Sequence, residues 1–196
     1  MPPKREITRA DILPPEQYAS ERREHRRRIS EVKRGRRVDV GPFCTFYFES
    51  YETMWHQVHE MLYIERGGEA QIESELEAYN PLIPKGNELS ATVMFEIEDP
   101  LRRDRMLARL GGVEHRMFLS LGGERIAGLA DPTRENTSPE GKASSVQFIR
   151  FPFALAQKTL FRTPGTPVLV GIDHANYGHM AVMPEAMRAA LAEDLA

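Results

Sequence analysis

Apolar and polar residues alternate with a helical period most clearly between Tyr51 and Arg66. At about 100° per residue, this segment has one apolar face and one polar face. The period predicts a helix over 51–66 that ends at Gly67-Gly68. A second predicted helix over 70–79 forms an αα-hairpin with it. The apolar face carries Tyr51, Met54, Trp55, Val58, Met61 and Leu62, and the polar face carries Glu52, His56, His59, Glu60 and Tyr63.

Runs of β-branched and aromatic residues alternate with shorter helical patterns over the rest of the chain. Pro15 precedes a predicted amino-terminal helix, and Gly122-Gly123 joins the clearest predicted β-hairpin. The predicted strands cover 38–50, 89–98, 115–121, 125–130, 144–153 and 168–174, and the remaining predicted helices cover 16–34, 100–110, 154–160 and 185–195.

This order of elements predicts the fold class. Strands outnumber βα alternations and hairpins recur, which is typical of an α+β fold. We expect a largely antiparallel sheet of about five to seven strands covered by helices, with an amino-terminal helical extension. Residues 1–36 are predicted to form that basic helical extension, and residues 37–196 the α+β domain.

The composition is that of an ordinary globular protein, with 41% hydrophobic and 28% charged residues in a chain of 196. The single cysteine, Cys44, excludes a disulfide within one chain and is typical of a reducing compartment. Its place in a predicted strand favours a buried, inert thiol. No apolar run reaches the ~18 residues of a membrane span, and the amino terminus lacks the apolar core of a signal peptide. We therefore expect a cytoplasmic protein without a membrane partner.

The formal net charge of −3 is unevenly distributed, with +5 on residues 1–40 and −8 on the remainder. Nine Lys and Arg residues lie between Arg22 and Arg37, a density that suggests nucleic-acid binding. Acidic residues are interleaved with them, and the run has no aromatic residue for base stacking. We therefore favour a surface helix that pairs its own charges, or that docks on the acidic remainder of the chain or of a partner. The thin apolar stripe of this helix consists of Tyr18, His25, Ile29 and Val32.

Glu52, His56 and Glu60 form one column at i, i+4 and i+8 of the predicted central helix, with His59 beside it. Carboxylates and imidazoles at this spacing can share a metal ion, and their combination suits iron or zinc. A solvated polar face is the simpler interpretation, and acid–base chemistry is a third. One helix supplies too few ligands, so a metal site requires a further ligand from elsewhere in the chain or from a second subunit.

Two charged residues fall on predicted apolar surfaces. Glu65 has the angle of the apolar face of the central helix, and Arg150 faces the same side of its strand as Val146 and Phe148. Because a buried charge has to be paired, we expect Arg150 to pair with a buried acid. For Glu65 we expect either an ion pair with an arginine or a position frayed out at the helix end. Both are candidate binding residues.

Asp173, His174, Tyr177 and His179 follow an apolar strand, at a strand end where functional residues often lie. Histidine can bind a ligand or carry a proton, and Asp173 can orient a neighbouring imidazole. A turn stabilised by its own Asp and His is the alternative interpretation. His174 thus joins the candidate metal ligands, and Asp173 and Tyr177 join the candidate binding residues.

The blocks ITRADILPPEQY, RREHRRRI, EMLYIER, YNPLIP, SSVQFIRF and GIDH with Tyr177 occur in this order over nearly the whole chain. Together they resemble an uncharacterised bacterial family defined as a domain of unknown function. Members of that family are often encoded beside rubrerythrin-like and iron–sulfur oxidoreductase proteins, which implies a role in iron, haem or peroxide-linked redox physiology. The resemblance also favours Glu60, Glu65, Arg150 and His174 over His56 and His59 as site residues.

Three functions are consistent with these features. The first is an accessory protein in oxidative-stress or redox physiology that associates with iron or haem; it predicts that His174 comes within reach of the central helix. The second is a non-catalytic interaction module, expected to be a homo-oligomer, that docks an acidic redox partner through the basic helix. The third, less favoured, is nucleic-acid binding through the same helix.

Overall fold

The structure is a computed structural model and describes residues 4–195. These residues form six α-helices, nine β-strands and four short 3-10 segments. The helices are α1 (Pro15–Arg34), α2 (Tyr51–Glu65), α3 (Glu69–Tyr79), α4 (Pro100–Leu107), α5 (Leu155–Arg162) and α6 (Glu185–Ala192). The strands are β1 (Arg37–Val40), β2 (Cys44–Phe48), β3 (Glu88–Phe95), β4 (Met117–Leu121), β5 (Glu124–Ala127), β6 (Leu129–Ala130), β7 (Val146–Pro152), β8 (Val168–His174) and β9 (Tyr177–Val182).

The strands form two antiparallel sheets. The five-stranded sheet has the order β1-β2-β3-β7-β6, and the four-stranded sheet has the order β5-β4-β8-β9. The predicted α+β class with antiparallel pairing is confirmed, although the strands form two sheets rather than one. The strands number nine because segments 38–50 and 125–130 each form two strands and β9 follows β8. The chain passes from one sheet to the other at buried Gly128, where an added Cβ would lie 2.6 Å from the Ile149 side chain.

The predicted single strand over 38–50 is wrong, because this segment forms a hairpin of two strands. Val40 pairs with Cys44, and residues 41–43 form the turn between β1 and β2. Gly41 has a φ of 72°, a left-handed conformation that glycine adopts without steric cost. A Cβ at Gly41 would also lie 2.6 Å from the ring of His179, so the turn packs closely against β9.

Buried side chains form a main core and a smaller second cluster. The main core combines residues of both sheets with Leu107 of α4, Phe161 of α5 and Met187 and Leu191 of α6. The second cluster lies in the helical part of the molecule and contains five buried side chains: Ile7, Met54, Val58, Leu82 and Ile83. The helices α2 and α3 therefore pack on a hydrophobic cluster of their own, to which α1 contributes no buried side chain.

Local signals account for the bounds of α2. The Ser50 hydroxyl accepts from the Thr53 amide at 3.3 Å, and the Thr53 hydroxyl accepts from the Ser50 amide at 2.9 Å, which is a capping box. Arg66 ends the helix with a φ of 55°. The predicted hairpin of α2 and α3 is confirmed. The proposed division of the chain at residue 36 stays a prediction.

Within residues 4–195, no helix has both the length and the apolar character that crossing a lipid bilayer requires.

Candidate functional site

The polar face of α2 is covered by α1, and the prediction that it is solvated is wrong. His56 is 7% exposed and His59 is 2% exposed. We call this contact the α1–α2 seam. The two helices contact each other there through hydrogen bonds and ring contacts, and they bury Ile29 beside these groups. The members of the seam are Tyr18, Arg22, His25 and Ile29 of α1 and Trp55, His56, His59, Glu60 and Tyr63 of α2.

Glu60 supplies the carboxylate of the seam and accepts three hydrogen bonds from α1. Arg22 donates to it from Nε and from Nη2, each at 2.8 Å, and the Tyr18 hydroxyl donates at 2.8 Å. The hydrogen bond from Arg22 lowers the pKa of Glu60, since it stabilises the ionised form. Burial, followed by the contact with Glu60, raises the pKa of Tyr18. Glu60 therefore stays ionised, and its oxygens are occupied by donors from α1.

His59 has both ring nitrogens engaged. The Leu13 amide donates to Nε2 at 3.0 Å, and Nδ1 lies 2.7 Å from the Trp55 carbonyl oxygen. Because Nε2 accepts, the proton is on Nδ1 and is donated to that carbonyl. Burial lowers the pKa of His59, which agrees with a neutral ring. His59 thus fastens the segment before α1 to α2 and offers no free lone pair.

His56 differs from His59 in keeping one nitrogen without a partner. Its Nδ1 lies 3.3 Å from the Tyr18 hydroxyl, whose single proton goes to Glu60. Nδ1 must therefore carry the proton and donate to the phenol oxygen. Among the described residues, Nε2 has no hydrogen-bond partner and keeps its lone pair. Burial lowers the pKa of His56 to about 4, so the ring is neutral at physiological pH.

A cleft of about 470 Å³ lies beside the seam, and we call it the seam cleft. The His25 ring stacks on Tyr18 with centroids 5.5 Å apart, and its Nε2 lies 3.2 Å from a Glu21 oxygen. Arg28 forms an ion pair with Glu52, with 2.6 Å between Arg28 Nη2 and Glu52 Oε1. The seam cleft is lined by Leu13, Glu21, His25, Arg28, Ile29, Tyr51, Glu52, Trp55 and His56.

Arg22 is a seam residue that the sequence pattern does not identify as a candidate. Tyr18, His25 and Ile29 were visible as a thin stripe on α1, and Tyr18 and Ile29 are indeed buried. Arg22 lies four residues after Tyr18, on the same helical face. That spacing is the signal that Arg22 faces α2 with Tyr18. The sequence does not show which carboxylate an arginine in a basic run pairs with.

The two charged residues predicted on apolar surfaces are both exposed. Glu65 lies at the end of α2, where its carboxylate accepts from Gln71 Nε2 at 2.7 Å, so the helix-end alternative is confirmed. Arg150 does share a face with Val146 and Phe148, but the buried side chains of β7 point to the opposite face. The expected pairing of Arg150 with a buried acid is therefore wrong. Instead, Arg150 lines an open cleft of about 620 Å³ together with Ser90 and other residues.

The candidates near residue 174 lie in the hairpin of β8 and β9. The Asp173 carboxylate pairs with Arg125 at 3.1 Å rather than with an imidazole. His174 Nδ1 accepts from the Asn176 amide at 3.2 Å, and its Nε2 lies 3.3 Å from the Gly111 carbonyl oxygen. The contact of His174 with Asn176 fits the interpretation of a turn stabilised by its own His, whereas Asp173 bonds outside the turn.

Tyr177 is 3% exposed and joins the two sheets. Its hydroxyl donates to the Val40 carbonyl and accepts from the Phe43 amide, each at 2.9 Å. Burial raises the pKa of Tyr177 to about 12, so the phenol is neutral and its role here is to bridge β9 and the β1–β2 turn.

The five candidate metal ligands do not share one site in this arrangement. His174 contacts Gly111 and Asn176, whereas Glu60 contacts Tyr18 and Arg22. Over residues 4–195, no group of three or more His, Cys, Asp or Glu side chains is placed to hold a metal ion. Metal binding by Glu52, His56, His59, Glu60 and His174 therefore stays a prediction.

The fold and the seam define an α+β protein of two antiparallel sheets with a helical layer tied together by buried polar contacts. Residues 6–195 match the family described as protein of unknown function (DUF3501), and the chain belongs to this family. It is similar to the crystal structure of a novel protein of unknown function from Burkholderia pseudomallei K96243, with 37% identity and a TM-score of 0.90 over 97% of this chain and 99% of that chain. No curated protein matches the chain.

Proposed function

We propose that this protein is a non-catalytic interaction module that docks an acidic redox protein through the outer face of α1. The supporting observation is a groove of about 520 Å³ on that face, which we call the arginine groove. Its lining contains four arginines and no carboxylate. The lining residues are Ala19, Arg22, Arg23, Arg26, Arg27, Ser30 and Tyr63.

Two of the four arginines are uncompensated within the described chain. Arg22 is neutralised by Glu60, and Arg27 lies 3.9 Å from Glu24. Arg23 and Arg26 are exposed, and neither forms an ion pair with any residue among 4–195. Exposed charges of one sign speed and orient the encounter with an oppositely charged surface, so the groove favours an acidic partner.

The groove favours a protein over a nucleic acid for two reasons. Single-stranded nucleic acid normally stacks its bases on exposed aromatic rings, and the one ring in the groove, Tyr63, is covered by the Arg22 guanidinium at 4.5 Å. In addition, residues outside 1–40 carry a net charge of −8, which repels phosphate beyond the groove.

The proposal is tested by titrating the protein with an acidic ferredoxin, chosen as a probe of the partner class, at about 50 and about 300 mM salt. Charge reversal of Arg23→Glu with Arg26→Glu should weaken binding about tenfold or more, and salt should weaken binding to the wild type. The control is Arg105→Glu with Arg162→Glu, which reverses two other exposed charges. Light scattering of the free protein tests the expected homo-oligomer beforehand.

Equal binding by the two double variants would contradict docking through the arginine groove. Binding of a 20-nucleotide single strand in preference to ferredoxin would instead support the nucleic-acid alternative.

Iron or haem association is a second proposal, and it rests on His56. Of the two buried seam histidines, only His56 keeps an unpartnered nitrogen, and the cleft beside it is lined by Tyr51 and Trp55. A single histidine suffices as an axial ligand of haem. Elemental analysis and an optical spectrum of untagged protein should then show iron or haem that is lost in His56→Ala and kept in His115→Ala. Protein without iron and without a haem band would contradict this proposal.

A further inference from the structure

A further cavity, of about 380 Å³, lies between the outer face of the five-stranded sheet and the helices α1 to α3, and we call it the Glu49 cavity. Small-molecule sites have volumes of this order, apolar walls and a few converging polar groups. The cavity is lined by Lys33, Arg36, Tyr47, Phe48, Glu49, Met54, Gln57, Tyr79, Leu82, Thr92, Met94, Val146 and Phe148.

Glu49 is a buried carboxylate without a cationic partner among the described residues. It is 6% exposed. The Thr53 hydroxyl donates to one oxygen at 2.6 Å, and the Thr92 hydroxyl donates to the other at 2.7 Å. A buried carboxylate is normally paired with a positive charge, because hydroxyl donors offset only part of the cost of removing it from water.

The nearby cation, Arg36, is committed elsewhere. Its guanidinium donates to the main-chain carbonyls of Phe48 and Glu49, each at 2.9 Å, and forms an ion pair with Asp194. Lys33 lines the cavity and is half-buried, yet it forms no ion pair with Glu49 or with any other described carboxylate. The carboxylate of Glu49 therefore still lacks a counter-charge.

The walls of the cavity suit the apolar part of an organic cation. Met54, Met94 and Phe148 present thioether and aromatic surface, and the rings of Tyr47 and Tyr79 add two further aromatic groups. Aromatic faces attract cations, and methionine adapts to ligands of irregular shape. An ammonium group next to Glu49 would supply the missing counter-charge, and an alkyl chain attached to it would pack against the apolar wall of the cavity.

We propose that the Glu49 cavity binds a small alkylamine, with the ammonium group paired to the Glu49 carboxylate and the alkyl chain packed against the methionine and aromatic side chains. This site is separate from the arginine groove and does not depend on the function proposed for α1. The ligand is defined by its charge and size, so that a matched set of probes distinguishes it from other small molecules.

The test compares n-butylammonium, butyrate and n-butanol, which share a four-carbon chain and differ in charge. Binding is followed through the methyl NMR signals of Met54 and Met94 in labelled wild-type protein. We expect n-butylammonium to bind at least about tenfold more tightly than either other probe. Comparable binding by butyrate or butanol, or no binding of n-butylammonium, would overturn the proposal without any variant being needed.

Two variants then locate the charge. Glu49→Gln should lower the affinity for n-butylammonium about tenfold or more, whereas Glu98→Gln, which removes an exposed carboxylate, should leave it unchanged. Equal losses in both variants would show that net charge alone attracts the amine and would overturn the site. Lys33→Met should leave the affinity unchanged or raise it, since a competing ammonium is removed; a large loss would contradict the assignment of Glu49 as the sole counter-ion.

Discussion

Burial of His56 in the α1–α2 seam makes the stability of the protein depend on pH. The pKa of His56 is lowered from 6.5 to about 4 because burial disfavours the charged ring. As the pH falls through 6.5, the unfolded chain takes up a proton at His56 while the folded protein does not. The unfolded state then binds more protons, so the free energy of unfolding decreases. This loss is complete only below the folded-state pKa.

The size of the effect follows from the two pKa values. One unit of pKa difference corresponds to about 1.4 kcal/mol, so the full contribution of His56 is about 3 kcal/mol. Between pH 8 and pH 5 the contribution is about 2 kcal/mol, since most of the unfolded chains but few folded molecules are protonated at pH 5. His59 adds to the effect in the same direction, because burial also lowers its pKa.

The measurement is urea unfolding of wild type and His56→Gln at several pH values from 8 to 5. This range stays above the region where Glu60, whose pKa is lowered by the hydrogen bond from Arg22, would begin to lose its charge. The variant should lose less stability than the wild type over this range, by about 2 kcal/mol. His115→Gln supplies the baseline, since its side chain is 75% exposed.

Parallel pH curves for wild type and His56→Gln would refute the reasoning. So would an NMR titration in which the His56 ring of the native protein protonates near pH 6.5, because a buried ring that donates to Tyr18 should resist protonation. The titration gives this answer even if the variant is too unstable for unfolding experiments.

Two further predictions concern the sheets. Cys44 is 1% exposed and burial raises its pKa, so Ellman's reagent should react with it only after urea unfolding; rapid reaction of the native protein would contradict this. Tyr177→Phe removes the hydroxyl that bonds to the main chain of Val40 and Phe43, and should lower the free energy of unfolding by about 1–3 kcal/mol. Tyr47→Phe is the control, because that hydroxyl is exposed and bonds to a surface carboxylate; an equal loss there would indicate a nonspecific effect.

The long helices were predictable because their signals are local. The predicted segments 16–34, 51–66 and 70–79 differ by a single residue at one end from Pro15–Arg34, Tyr51–Glu65 and Glu69–Tyr79. An apolar stripe at the helical period, a proline in the first turn and a glycine pair after the end all act within a few residues. None of these signals requires knowledge of the rest of the fold.

The division of the strands into two sheets depends on contacts between distant residues. Nothing near Gly128 shows that the chain leaves one sheet there, because the need for glycine arises from the approach of Ile149 on β7. The split of segment 38–50 has a local signal, because Gly41-Pro42 is a dipeptide that often marks a turn. Only the pairing of Val40 with Cys44 shows that the chain reverses fully there.

The burial of His56 and His59 could not be predicted from the sequence for a related reason. His56 and His59 lie on a polar face, and a polar face is more often solvated than covered. The structure covers it with α1, whose own stripe is part polar, so the two helices meet through matched hydrogen bonds rather than through apolar residues alone. Likewise Arg150 was placed on the correct face of β7, but the apolar residues beside it belong to the outer face of the sheet.

The separation of the two hydrophobic clusters implies that the molecule does not open as one unit. The five buried side chains of the second cluster hold α2 and its neighbours, whereas the main core extends through both sheets. Regions that bury less apolar surface open at a lower free energy than the global transition. Amide hydrogens in α1 and α2 should therefore exchange with solvent through partial openings that leave both sheets intact, and the seam histidines would meet water in that open state.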